Sequence, residues 1–196
     1  MTPDIQGLNI LKMIASAVLN IFVIGMLISC TQPTDSHLNA LKQQILNDYN
    51  EMESAIRDSL QNQNGKSLLG NVMQAFFERR AAAGLKGGCT VAVLDPNMRY
   101  IAGRHLGTRD NEIKTIDLTL KNYQYLKESF EGLEKGRMTQ NILYFNNHKI
   151  YVVARAVSQE QKLLGYLFFA YDEERFNKDW KISDEQFLNI DFGNTP

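Results

Sequence analysis

A tyrosine and an arginine alternate with aliphatic side chains on one strand-like segment of the chain. In IYVVARAV, residues 150–157, a period of two places Tyr151, Val153, Arg155 and Val157 on one face and only aliphatic side chains on the other. A guanidinium is costly to bury unpaired, and its planar fork matches a carboxylate through two hydrogen bonds. We therefore expect Tyr151 and Arg155 to line a pocket for a carboxylate, while the aliphatic face packs on a helix. The alternatives are that Arg155 reaches solvent or pairs with an internal carboxylate such as Asp95 or Asp117.

Three further side chains are candidates for the same pocket. Tyr144, in ILYF, and Tyr100, in RYIAG, lie on other predicted strands, where alternation could place them on the same face. Arg104 follows the second predicted strand, where an insert begins, and could close over a ligand. The alternatives are ordinary half-buried packing for the tyrosines and a solvated loop charge for Arg104. The predicted ligand-binding residues are Tyr100, Arg104, Tyr144, Tyr151 and Arg155.

The sequence carries no recognisable catalytic motif. It contains no Gly-x-Ser-x-Gly, no His-Glu-x-x-His and no paired cysteines. His37, His105 and His148 fall on a helix start, a loop and a turn, without the spacing of metal ligands. The GKS at residues 65–67 lacks the first glycine and the preceding strand of a phosphate loop. We expect no enzyme, no metal and no cofactor; a composite site built from distant residues is the alternative.

The composition is that of a globular domain. The chain has 196 residues, 44% of them hydrophobic and 22% charged, with a net charge of -1. This balance lacks the clustered basic excess of a nucleic-acid-binding protein, so no nucleic-acid partner is expected. Cys30 lies in an apolar leader and Cys89 at the start of a predicted strand, so we expect no disulfide. Cys89 is expected to be a small buried hydrophobe.

Cys30 ends the long apolar segment near the N-terminus. Residues 13–28 carry no charge and follow Lys12, which is typical of a secretory signal. The residues LISC, 27–30, resemble the lipobox of bacterial lipoproteins, with an aliphatic residue, a small residue and then the cysteine. The resemblance implies a diacylglyceryl thioether on Cys30, cleavage before it and acylation of the new N-terminus. An uncleaved transmembrane anchor is the alternative, because the apolar segment nearly reaches the required length of about 20 residues.

Either anchor places the bulk of the chain outside the cytoplasm, in the cell envelope. Thr31, rather than Asp, after the cysteine resembles the outer-membrane sorting pattern of Gram-negative lipoproteins, which implies a domain facing the periplasm. We predict a signal peptide over residues 1–29, a tether over 30–34 and a single domain over 35–196.

The domain is predicted to begin with two helices. An apolar stripe with spacings of three, four and four predicts a straight helix over about 35–61 that packs on a sheet rather than on a second copy of itself. A second helix is predicted over about 68–83. The stripe consists of Leu38, Leu41, Ile45, Tyr49, Met52, Ile56 and Leu60.

Strand periodicity then predominates. A helical insert from Arg104 to about Arg137 separates the second and third predicted strands, and a polar loop, SQEQK, joins the last two. A final helix over 173–180 is predicted with Asp172 as its cap, and the tail after it is not assigned. The predicted strands are 89–95, 99–103, 141–145, 149–157 and 163–172.

This order of elements resembles the extracytoplasmic Cache sensor domains, relatives of the PAS fold, over about residues 35–180. VAVLDPNMRYIAG, as the first hairpin, and LLGYLFFAYD, as the last strand, carry the resemblance. It implies an α+β fold in which a long N-terminal helix packs on a five-stranded antiparallel sheet, with the helical insert between strands 2 and 3. It also implies a small metabolite, a carboxylate or an amino acid, bound between sheet and insert.

Together these features predict a membrane-anchored lipoprotein whose Cache-like domain binds a small, anionic metabolite for sensing or capture. The chain ends at Pro196 without a second apolar segment or an output domain, so signalling is expected only through a protein partner. The alternative is a non-catalytic envelope interaction protein that has the fold but no small-molecule ligand.

Overall fold

The computed structural model describes the domain from the start of its first helix, at Asp35. The predicted signal peptide, Cys30 and the tether lie outside the described residues, as does half of the predicted insert. No helix in the described part of the chain is long and apolar enough to cross a membrane. The residues described are 35–61, 65–84, 87–110, 112–116, 128–130, 133, 137–145 and 147–193.

Two helices open the domain, as predicted. Helix α1 spans Asp35–Gln61 and α2 spans Gly65–Ala82, so α2 begins three residues before its predicted start. The centre of the apolar stripe of α1 is completely buried, because its spacing keeps these side chains on one face of a straight helix. The residues with at most 1% exposure are Leu41, Ile45, Tyr49, Met52 and Ile56.

The strands form one antiparallel sheet of six, in the order β3-β2-β1-β6-β5-β4. The predicted number of five is therefore corrected. The additional strand lies inside the predicted helical insert, where two β-branched residues favour extended backbone and pair with the open edge of β2. The strands are β1 Cys89–Leu94, β2 Tyr100–Leu106, β3 Ile113–Thr115, β4 Thr139–Phe145, β5 His148–Gln159 and β6 Lys162–Asp172.

Two strand boundaries differ from the prediction. Strand β2 continues to Leu106, so Arg104 lies within a strand and not in a loop. The predicted polar loop between β5 and β6 is a tight turn, in which Glu160 and Gln161 have φ values of 48° and 67°. Two consecutive residues with positive φ match the right-handed twist of a hairpin, although neither is Gly or Asn.

The sheet separates two apolar cores. The helix-side core lies between the sheet and helices α1 and α2, and it includes Tyr151, Val153 and Val157 of β5. The insert-side core lies on the opposite face and includes Val152 and Ala154 of β5. The predicted orientation of β5 is therefore wrong: the face that carries Tyr151 and Arg155 packs under the helices, and the aliphatic face points towards the insert.

The C-terminal segment adds two short helices, α3 Glu173–Asp179 and α4 Asp184–Leu188. Helix α3 was predicted, but the side chain of Asp172 makes no capping hydrogen bond to it. Helix α4 lies in the unassigned tail and begins with a capping box, in which Ser183 and Gln186 satisfy each other's backbone N–H groups. Its Phe187 is completely buried in the helix-side core.

Cys89 is buried at the start of β1, as predicted. Burial raises the pKa of its thiol to about 12, so the thiolate that reactive cysteines need is not available at neutral pH.

Candidate functional site

One open cleft lies at the end of the sheet where β5 begins and β6 ends. Its volume is about 490 Å³, which is the size of a small-molecule site. We call it the acidic cleft, because its wall carries three carboxylates against one lysine. It is lined by His105, Thr108, Phe145, His148, Lys149, Ile150, Asp172, Glu173 and Glu174.

Strand register brings these residues together from distant parts of the sequence. Ile150 of β5 pairs with Asp172 of β6, and His105 of β2 pairs with Thr90 of β1. His105 is held by a 2.8 Å hydrogen bond between its Nδ1 and Oγ1 of Thr90. Ile150 and Phe145 pack against the insert-side core, whereas Lys149 lies over the ring of Tyr151, on the other face of β5. The cleft therefore lies at the end of the sheet, with residues from both faces.

The charged groups of the acidic cleft are partly held by one another. Thr108 Oγ1 donates a 2.6 Å hydrogen bond to Asp172 Oδ2. Lys149 Nζ lies 3.1 Å from Glu173 Oε1 and 3.1 Å from Asp184 Oδ2. The hydrogen bond to Glu173, followed by that to Asp184, raises the pKa of Lys149 and keeps it cationic.

Lys149 also belongs to a polar contact that joins β5 to α4. The hydroxyl of Tyr151 donates a 2.7 Å hydrogen bond to Asp184 Oδ1. This bond, assisted by Lys149, lowers the pKa of the Asp184 carboxyl group. Burial raises the pKa of Tyr151 to about 12, so its hydroxyl remains a donor at neutral pH. The cleft is therefore linked through Lys149 to the C-terminal helices.

A second cleft, of about 430 Å³, lies at the other side of the sheet, between α2 and the β2–β3 edge. We call it the Arg104 cleft. It brings together two of the predicted ligand-binding residues, Tyr100 and Arg104. The described residues that line it are Ser67, Gly70, Asn71, Tyr100, Ile101, Ala102, Arg104, Thr115 and Ile116.

The other three predicted ligand-binding residues lie elsewhere, and none of them lines either cleft. Arg155 Nη1 lies 3.1 Å from Glu53 Oε2 beneath α1. Arg155 therefore forms an internal ion pair, but its partner is Glu53 and not Asp95 or Asp117. Tyr151 is 1% exposed and stacks on Phe176, with 3.9 Å between ring centroids. Tyr144, on the edge strand β4, is 58% exposed. The structure therefore does not assemble the five residues into one pocket.

Sequence reasoning missed the lining of the acidic cleft. His105 was assigned to a loop, and Asp172 was explained as a helix cap. A faint signal existed at Asp172, because a carboxylate that ends an apolar strand must find a polar partner. Within the described ranges, no three His, Cys, Asp or Glu side chains are grouped as a metal ion would require.

No family model matches the sequence, and no curated protein matches it. Solved structures do match the fold. The extracellular domain of a histidine kinase superposes with a TM-score of 0.59 at 13% identity, covering 78% of this chain and 58% of the other. The domain of a sensory box/GGDEF family protein from Vibrio parahaemolyticus gives 0.54 at 12% identity, with coverages of 76% and 60%.

The ligand-binding domain of the Campylobacter jejuni chemoreceptor Tlp3, in complex with L-valine, superposes with a TM-score of 0.52 at 13% identity. The match covers 82% of this chain and 71% of that domain. The α+β fold, with an N-terminal helix on an antiparallel sheet, is thus that of the Cache- and PAS-like sensory domains. The chain spans less of the first two structures, 58% and 60% of their lengths.

Proposed function

We propose that this domain binds a small molecule of the amino-acid class in the acidic cleft and serves as an extracytoplasmic sensor or capture domain. The observation that carries the proposal is the cleft itself: carboxylates, a lysine and an apolar wall line one open cleft at the end of the sheet where β5 begins and β6 ends. The bound L-valine of the C. jejuni chemoreceptor domain, which shares the fold, supports the ligand class.

A zwitterionic ligand suits this mixture of charges. Its ammonium group would be bound by Asp172 and the neighbouring glutamates, and its carboxylate by Lys149, which is already cationic. Phe145 and Ile150 offer apolar surface to a side chain. Because each charge of the ligand meets an opposite charge, neither is buried unpaired.

The test is a thermal-shift and calorimetric screen of residues 31–196 with the L-amino acids. A ligand present at a hundred times its dissociation constant stabilises the fold by about 2.7 kcal/mol, which raises the melting temperature by several degrees. Asp172→Asn retains an acceptor for Thr108 but removes the charge, and it should weaken binding about tenfold or more. The control is Glu160→Gln, an exposed carboxylate at the β5–β6 turn, which should bind as the wild type does.

The assignment is contradicted if the folded wild-type fragment responds to none of the L-amino acids. It is also contradicted if Asp172→Asn binds an amino acid as tightly as the wild type does. The first result would reject the ligand class, and the second would place the site elsewhere.

We further propose that the domain is anchored by a lipid on Cys30 and passes any signal to a protein partner in the envelope. The support is the LISC motif at the end of the apolar leader. Cells that express the full chain should incorporate labelled palmitate into wild type and into Cys89→Ser, the control at the other cysteine, but not into Cys30→Ser. Labelling that persists in Cys30→Ser would reject the lipoprotein and favour the uncleaved anchor.

A further inference from the structure

Arg104 differs from the other buried or half-buried arginines of the described chain, because no described carboxylate forms an ion pair with it. Its Nη1 donates a 3.0 Å hydrogen bond to the backbone oxygen of the preceding residue, Gly103. A half-buried guanidinium has lost part of its hydration, and a neutral carbonyl compensates only part of that cost. The arginines with carboxylate partners are Arg57 and Arg155 with Glu53, Arg80 with Asp48, and Arg175 with Asp179.

The Arg104 guanidinium is held in a defined place. A Cβ atom added at Gly70 of α2 would lie 2.8 Å from Arg104 Nη2, so this glycine leaves the space in which the guanidinium packs against the helix. On the strand side, the hydroxyl of Tyr100 donates a hydrogen bond to the backbone oxygen of Ile116, which fixes the aromatic wall of the cleft. The hydrogen bond to the backbone oxygen of Gly103 and the space left by Gly70 therefore hold the Arg104 guanidinium at the cleft.

The other polar residues that line the Arg104 cleft in the described part of the chain are neutral. Ser67 and Asn71 come from α2, and Thr115 comes from β3. Hydroxyl and amide groups can donate to an anion without adding charge, and the lining residues that the structure describes include no Asp or Glu that would repel one. The acidic cleft, with its excess of carboxylates, has the opposite preference.

We propose that the Arg104 cleft is a second binding site, which takes a small oxyanion, a carboxylate or a phosphate, independently of the acidic cleft. The planar fork of arginine matches either group through two hydrogen bonds. The volume of about 430 Å³ leaves room for the organic part of such a ligand beside Tyr100. The proposal does not rest on the amino-acid site, because the two clefts share no lining residue.

The experiment titrates residues 31–196 with succinate and, separately, with inorganic phosphate, following melting temperature and amide chemical shifts. Sodium chloride at equal ionic strength is the reference, since it reports the general screening of surface charge. We expect a saturable response to one of the two anions, with chemical-shift changes centred on α2 and β2. The anion that gives this response identifies the ligand group as a carboxylate or a phosphate. Arg104→Gln should weaken that response about tenfold or more, because a charge-assisted contact is lost.

Matched variants make the result specific. Arg137→Gln removes an exposed arginine outside both clefts and should respond as the wild type does. Gly70→Ala retains every charge but displaces the Arg104 guanidinium, so it should also weaken the anion response. This variant tests the site if Arg104→Gln does not fold. Asp172→Asn should leave the anion response intact, which separates this site from the amino-acid site. The proposal is overturned if neither anion acts beyond sodium chloride, or if Arg104→Gln and Gly70→Ala both respond like the wild type.

Discussion

Replacing Arg155 by Met should destabilise the fold and leave ligand binding unchanged. Arg155 lies on β5 beneath α1, with 13% of its side chain exposed, and it contacts Glu53, whose side chain is 12% exposed, at 3.1 Å. Glu53 is also held by Arg57, at 2.7 Å. The variant removes one of two cations from a poorly hydrated carboxylate, and Met retains most of the apolar stem of the arginine.

The size of the effect follows from these contacts. A hydrogen bond to a charged group contributes about 1.5–3 kcal/mol. Arg57 continues to neutralise Glu53, and the buried Nε of Arg155 has no hydrogen-bond partner in the described structure, so both facts reduce the loss. We expect the free energy of unfolding to fall by about 2 kcal/mol, which in a domain of this size lowers the melting temperature by about 4–8 °C.

A double-mutant cycle in urea tests the assignment. It compares Arg155→Met, Glu53→Gln and the combined variant, and a direct contact should give a coupling energy of about 1 kcal/mol. Amino-acid affinity, measured in the same preparations, should stay within about twofold of the wild type because Arg155 lines neither cleft. Zero coupling together with loss of amino-acid binding would refute the ion-pair interpretation and restore Arg155 as a ligand residue.

Three further predictions concern the framework around the clefts, and chemical denaturation measures each. Asp48→Asn should cost about 3–5 kcal/mol, because it leaves the buried guanidinium of Arg80 without its carboxylate; a loss below about 1 kcal/mol would show that water reaches the pair. The hydrogen bond from Tyr151 lowers the pKa of Asp184, so its contribution is present above the unfolded pKa of about 3.9 and is lost as pH falls through the lower folded pKa. The stability difference between wild type and Asp184→Asn should thus be constant from pH 5 to 8 and shrink below about pH 4; a difference that persists there would exclude the carboxylate as its source. Gly165→Ala should cost about 1–3 kcal/mol, because the new Cβ would overlap the fixed backbone oxygen of Leu94, and an unchanged stability would mean that the strands can separate locally.

The helices and the longer strands were predictable because their signals are local. The stripe of α1 repeats over many turns, and its central members are buried as the period requires. Strand β3 was not predictable, because three residues carry no period and its pairing depends on the free edge of β2. The tight β5–β6 turn was not predicted for a related reason. Glu160 and Gln161 both adopt positive φ, although neither is Gly or Asn, the residue types that normally indicate such a turn.

The clefts were less predictable than the elements that build them. The acidic cleft joins residues near positions 105, 148 and 172, which only the pairing of β1, β2, β5 and β6 brings together. Strand order is a non-local property, and the local periodicity of a sequence does not predict it. Tyr100 and Arg104 line one cleft because β2 extends through both residues, although the sequence predicts Arg104 just past the end of that strand.

The wrong orientation of β5 shows what decides the layer that covers a strand face. Alternation establishes that Tyr151 and Arg155 share a face, but not which layer covers that face. Their polar tips suggest a pocket, yet Asp184 of α4 and Glu53 of α1 satisfy them. The opposite face of β5 carries Ala154, which pairs with Phe168 in the insert-side core. The layer that covers each face therefore depends on the partners that the neighbouring elements supply, and not on the alternation within β5 alone.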